Sequence, residues 1–286
     1  MKKQQLSYKS VIVKGVKIFY REAGDKNAPH LILLNGVPNS SSAFDQLMQN
    51  LQEDLYMIAP DFPGFGNSGT PKPNEFEYSF ENLSKVIELL INQLGMSDVS
   101  VYALGYGGPI AFRIAQRQPA IFKKYILQNT NAYEEGLGPA MVAAAPFLTD
   151  RNLETEKLVA PLLEREGMEM FFLNGISDEK AVNPDHINTA IYHLSRPGQK
   201  EIQLDLLYDY RNNIAEYPKW QNFLKRYQPE MLLVWGKNDV FFPLDAAEAF
   251  KKDVPNAELW VYDTSHLALE EYHQDIAEKI KAFMIG

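Results

Sequence analysis

A set of short, unbroken apolar runs constrains this chain most. "HLILLN" (30–35), "VSVYAL" (99–104), "KYILQN" (124–129) and "MLLVWG" (231–236) show no polar/apolar alternation. Runs of this kind are strands buried on both faces, and such strands build parallel sheets flanked by helices. The intervening segments agree. "YMIAPDF" (56–62) reads as another strand, preceded by a helix from about Ser42 to Leu51. "FENLSKVIELLINQLG" (80–95) places Leu83, Val86, Ile87, Leu90, Ile91 and Leu94 at a 3.6-residue period and stops at Gly95. A helix over 108–117 follows the strand at 99–104. "VIVKGVKIFY" (11–20) reads as two strands about a Lys14-Gly15 turn. The order β-α-β-α-β specifies an α/β fold with a mostly parallel sheet. Residues 132–218 interrupt it with helix formers and aromatics and no buried-strand run, the pattern of an inserted helical cap. The rhythm resumes with 231–236, a helix near 244–252, a strand "AELWVYD" (257–263) and a helix over 269–284. The core is therefore expected over 1–131 and 219–286.

Bulk properties narrow the chemistry. The 286 residues carry a net charge of −9, which repels polyanions and argues against a nucleic-acid partner. The chain has no cysteine, which removes disulfides, thiolate catalysis and Cys-ligated metal sites. No metal or cofactor is expected, and a small molecule is the expected partner. "MKKQQLSYKS" has no apolar region behind its positive charge, and no run of about 18 apolar residues follows. A cytoplasmic protein with no membrane contact is the expectation; the composition says nothing of oligomeric state.

In open α/β sheets, sites lie beyond the carboxyl ends of the strands. The residues there are Asn35-Gly36-Val37-Pro38, Pro63-Gly64-Phe65-Gly66, the stretch "GYGG" from Gly105, Asp239 in "GKNDVFFP" and His266 in "TSHLALEE". The segment "VYALGYGGPIAF" (101–112) has the layout of a nucleophile elbow, a strand-to-helix turn that raises one side chain above the sheet. In the pattern G-x-Nu-x-G, the nucleophile position falls on Gly105, which has no side chain. Glycine there either relaxes the strain of a positive φ or marks the loss of covalent catalysis. A phosphate-loop reading fails, since "GYGG" is not G-x-G-x-x-G and no Gly-Lys-Ser/Thr occurs.

"APDFPGFGNSG", "GYGGPIAFRIA", "WGKNDVFFP" and "TSHLALEE" resemble, in order, the landmarks of α/β-hydrolase-fold proteins along nearly the whole chain. Ala103 and Tyr106-Gly107-Gly108 resemble the aspartate-nucleophile branch, which includes haloalkane dehalogenases and epoxide hydrolases. The resemblance implies a vacant nucleophile position at Gly105, His266 as the base that activates water, and Asp239 as its orienting acid. It implies an oxyanion hole from the backbone N–H groups of Val37 and Tyr106. It also implies cap tyrosines that polarise an epoxide, for which Tyr192, Tyr208, Tyr210 and Tyr217 are available, the first three favoured. Two departures stand out: Gly105 itself, and Asn35 where the family usually has His. Val37 and Tyr106 also replace the Asn and Trp that hold halide in dehalogenases.

The expected function is hydrolysis of a small, fairly apolar epoxide, haloalkane or ester. The parental route is an aspartyl ester, impaired here at Gly105. A non-covalent enzyme using a His266–Asp239 base, of lyase or cofactor-free oxygenase type, and a non-catalytic binder are the alternatives. Plainer roles are expected elsewhere. Asp61 reads as a loop organiser. His30, His186, His193 and His273 read as surface residues. "LLYDYR" (206–211) reads as cap core, with Arg211 paired to Asp205 or Asp209.

Overall fold

The computed structural model describes residues 6–37 and 39–286. The first five residues and Pro38, which belong to the stretch expected to carry no signal peptide and to the turn expected after the strand at 30–35, lie outside it. Strands β1 (Ser7–Val13) and β2 (Val16–Ala23) form a hairpin. Then come β3 (His30–Leu34), helix α1 (Asp45–Leu51), β4 (Tyr56–Pro60), α2 (Phe80–Gln93), β5 (Ser100–Leu104), α3 (Gly107–Arg117) and β6 (Lys124–Gln128). A helical stretch follows: α4 (Pro139–Ala143), α5 (Ala145–Thr149), α6 (Leu153–Val159), α7 (Arg165–Leu173), α8 (Pro184–Ser195) and α9 (Gln199–Tyr227). The chain closes with β7 (Glu230–Gly236), α10 (Leu244–Asp253), β8 (Glu258–Tyr262) and α11 (Leu269–Ile285).

The eight strands form one sheet in the order β1-β2-β4-β3-β5-β6-β7-β8, parallel from β4 to β8. Every residue of β4 and β5 is buried, as unbroken apolar runs require. Helix α2 buries Leu83, Val86, Ile87, Leu90 and Ile91, and Ser79 caps its first turn by accepting from the Asn82 N–H. The chain runs outward from β3 to β4, then crosses back to β5. The loops leaving β3 and β5 therefore part, and a crevice opens where the strand order reverses. Pairing of Leu34 with Ala103 sets those two strand ends side by side.

The helical stretch expected as a cap runs on without a break toward β7. Helix α9 runs through Pro218, so the expected boundary between 218 and 219 falls inside one helix. Its second half packs on α3: the Trp220 and Phe112 rings stack at 5.4 Å, and the Arg113 guanidinium donates to Asn213 Oδ1 at 2.9 Å. Burial of Trp220, Phe223 and Leu224 offsets the backbone bond lost at the proline.

Candidate active site

The turn after β5 is built as an elbow. Gly105 adopts φ +52°, and α3 begins two residues later. Its carbonyl accepts from the Gly108 N–H at 3.1 Å and from the Thr130 hydroxyl at 2.7 Å, which fixes the turn. A Cβ on Gly105 would lie 3.1 Å from His266 Nε2. The elbow thus aims the empty position at the imidazole.

His266 is 5% exposed, and its Nδ1 lies 2.7 Å from Asp239 Oδ2. A carboxylate only accepts, so in the neutral ring Nδ1 carries the proton and Nε2 presents its lone pair to the elbow. Asp239 is held in turn: Oδ1 accepts from the Phe241 N–H at 2.8 Å, and Oδ2 also accepts from Asn129 Nδ2 at 3.0 Å. Asn129 follows β6 directly, at φ +38°, and also binds both backbone groups of Gly236. The His266 carbonyl accepts from Gln128 Nε2 at 3.1 Å, so two adjacent residues of one strand end hold both partners.

The loop after β3 supplies the opposite wall. A Cβ on Gly36 would meet the Tyr106 nitrogen at 2.9 Å, so glycine keeps that amide open. Among the described residues, the N–H groups of Tyr106 and Val37 have no hydrogen-bond partner, as an oxyanion site requires. Asn35 is buried and closes this turn by donating to the Asn39 carbonyl at 3.1 Å. Asp61 organises the next loop, accepting from the Ser41 N–H at 2.6 Å and the Asn67 N–H at 2.7 Å. Burial drives its carboxyl upward in pKa against those bonds.

One pocket joins these groups. Val37, Gly105, Tyr106 and His266 form its floor, and cap residues including Met141, Leu163 and Leu207 its roof. Its cavity leaves only about 50 Å³ for the centre of a water-sized molecule. It is a narrow, apolar slot, and among the described residues no Asp, Glu, Lys or Arg lines it.

The three favoured cap tyrosines are elsewhere. Tyr192 is 64% exposed on α8. Tyr208 points off the pocket face of α9, packing on Phe147 and under the Arg211 guanidinium. Tyr210 lies one turn beyond Leu207 and is buried behind the wall, its hydroxyl 3.1 Å from that of Tyr217. The tyrosine that lines the slot is Tyr106. Arg211 pairs with neither Asp205 nor Asp209; it donates to the Tyr208 carbonyl, while Asp205 binds Arg151 and Asp209 accepts from the Phe80 N–H. His186 is no free surface residue either, since its Nδ1 lies 2.7 Å from Glu270 Oε1. Asn129 and Gln203 belong to the site and went unread. Asn129 is the first residue past a strand end. Gln203 is a polar residue on the apolar stripe Gln203, Leu206, Leu207, Tyr210.

Among the described residues, no group of three His, Asp or Glu side chains stands together to hold a metal ion. Among them also, no helix is long and apolar enough to cross a membrane.

Comparison with known proteins agrees with this fold. A family model described as the alpha/beta hydrolase fold matches residues 29–271. An uncharacterized hydrolase of Saccharomyces cerevisiae is 37% identical over 96% of this chain and 95% of its own length. Epoxide hydrolase 3 of Mus musculus is 22% identical over 86% of this chain and 66% of its own. The crystal structure of haloalkane dehalogenase DbeA from Bradyrhizobium elkani superposes with a TM-score of 0.80 at 21% identity, covering 98% of each chain. The elbow, the His266–Asp239 pair and the helical stretch between β6 and β7 thus sit in a chain that belongs to the α/β-hydrolase fold family, with dehalogenase- and epoxide-hydrolase-like relatives.

Proposed function

We propose that this chain hydrolyses small, mostly apolar esters by direct attack of water, slowly and without a covalent intermediate. One observation carries the reading. His266, held by Asp239, points Nε2 at a position 3.1 Å away where the family's nucleophile would begin and where this chain has only Gly105. The aspartyl-ester route of the parental enzymes needs a side chain there. A water molecule in the same space is within hydrogen-bond reach of Nε2.

The ester carbonyl oxygen lies between the Val37 and Tyr106 amides. The water oxygen attacks the carbonyl carbon, its proton passes to Nε2, and the carbonyl electron pair moves onto the oxygen facing those amides. Asp239 stabilises the imidazolium. When the carbonyl reforms, the ester C–O bond breaks and the Nε2 proton goes to the departing alkoxide. The products are a carboxylic acid and an alcohol.

Loss of a nucleophile costs on the order of 10⁴–10⁶ in turnover, while an oxyanion hole and binding retain about 10³-fold over water. The parent protein should therefore turn over short-chain p-nitrophenyl esters slowly, and His266→Ala should lose about 10²-fold or more. In ¹⁸O-water, label should enter the product acid and never the protein. Equal rates for parent and His266→Ala would end this reading, as would an acyl adduct on any side chain, Tyr106 included.

A further inference from the structure

Gln203 sits in the roof of the slot and is 6% exposed. Its Oε1 is buried without a partner, and among the described residues Nε2 makes no hydrogen bond either. A buried amide oxygen without a partner is a rarity in folded proteins, where such groups are nearly always satisfied. It also stands on the stripe of α9 that carries Leu207 into the same pocket.

We propose that Gln203 is the polar recognition point of this pocket, and that its ligand is a neutral molecule bearing one hydroxyl on a hydrocarbon body. The proposal rests on the ester reading above and specifies its substrate as a hydroxyl-bearing ester. The ligand is neutral because, among the described residues, the slot holds no Asp, Glu, Lys or Arg to pair a charge that would lose its water on entry. It carries a hydroxyl because that group donates to Oε1 and accepts from Nε2, using both ends of one amide. Rotation of the terminal amide exchanges the two ends, so either orientation serves the same group. The rest of the ligand is apolar because Met141, Leu163, Leu207 and the other side chains that line the slot with Gln203 are mostly apolar.

Unreactive methyl ketones test this without requiring turnover. Their carbonyl occupies the place of the ester carbonyl, and the far end carries either a hydroxyl or a methyl group of similar size. Binding is measured by calorimetry across a series of chain lengths, for the parent and for Gln203→Leu. At one chain length the parent should prefer the hydroxyl compound by about tenfold, the worth of one hydrogen bond. Gln203→Leu should reverse that preference and melt no lower than the parent, because no bond within the protein is lost. Three results would each overturn the proposal: no hydroxyl preference at any length, a preference that survives Gln203→Leu, or a Gln203→Leu protein that melts well below the parent. If the hydroxyl ketone binds through Gln203 while esters are not hydrolysed, the catalytic reading fails and the recognition site stands.

Discussion

At the scale of single residues, position 105 decides the chemistry that is open to this pocket. A carboxylate there would face His266 Nε2 and the open Tyr106 amide, the arrangement an aspartyl-ester route needs. Gly105→Asp should therefore raise hydrolysis of an epoxide, haloalkane and ester panel by 10²-fold or more, with an ester trapped on residue 105 in mass spectrometry. The cost follows from the backbone. At φ +52° a side chain is strained, and its Cβ at 3.1 Å asks the imidazole to yield by a few tenths of an ångström, so stability should fall by roughly 1–2 kcal/mol in thermal melts. Gly105→Ser should gain less, since its hydroxyl must first lose a proton to His266. An active parent and an inactive Gly105→Asp would refute the latent covalent route. Gly105, Asp239 and His266 were legible in the sequence because each follows a strand, and the sheet brings strand ends together. The cap tyrosines and Gln203 were not. Residue type alone does not tell which side of α9 faces the slot, and Tyr210 misses it by one helical turn.

The elements explain why the pair at the centre is rigid. Strand β6 ends in Gln128 and Asn129, which grip the His266 backbone and the Asp239 carboxylate respectively. Asn129→Ala removes one donor from the oxygen that His266 also uses and breaks two bonds to Gly236. Turnover should drop about tenfold with KM little changed, and stability by roughly 1–3 kcal/mol, the cost of unpairing buried polar groups. Unchanged kcat in this variant would show that Asp239 needs no second holder. Strands β3 to β8 were readable within a residue or two because continuous apolar runs admit few other fates, whereas the β1–β2 hairpin, read within 11–20, spans Ser7 to Ala23. The end of the cap was not, because Pro218 falls near the return to the core and yet lies inside α9. Only tertiary packing of Trp220 against Phe112 overrides that local signal.

For the whole molecule, the question is how the cap is held over so narrow a slot. Helix α11 starts just after His266, and its first acidic residues reach into the cap. Glu271 accepts from the Ser177 hydroxyl at 2.6 Å and the Asp178 N–H at 2.8 Å, and Glu270 binds His186 of α8 at 2.7 Å. The loop carrying His266 is thereby tied to the helical stretch above it. Burial of His186 works to lower its pKa, but the Glu270 hydrogen bond and charge, aided by Asp45 and Asp185, raise it overall. A histidine whose folded pKa lies above its unfolded value of about 6.5 stabilises fully below that value, and the benefit disappears as pH rises through the folded pKa. His193 on the same helix runs the other way: burial, with Arg196 and Arg21, lowers its pKa to about 4, so it weakens the fold as pH falls from about 6.5 toward that value. Comparing the parent with His186→Gln cancels the His193 contribution, which both share. The parent should melt above His186→Gln by roughly 2 °C near pH 5.5, about the effect of one charge-assisted hydrogen bond in a domain of this size. That gap should close by pH 9, once His186 is neutral in both states. A gap that stays constant across this range would mean that His186 holds the cap by shape rather than by charge.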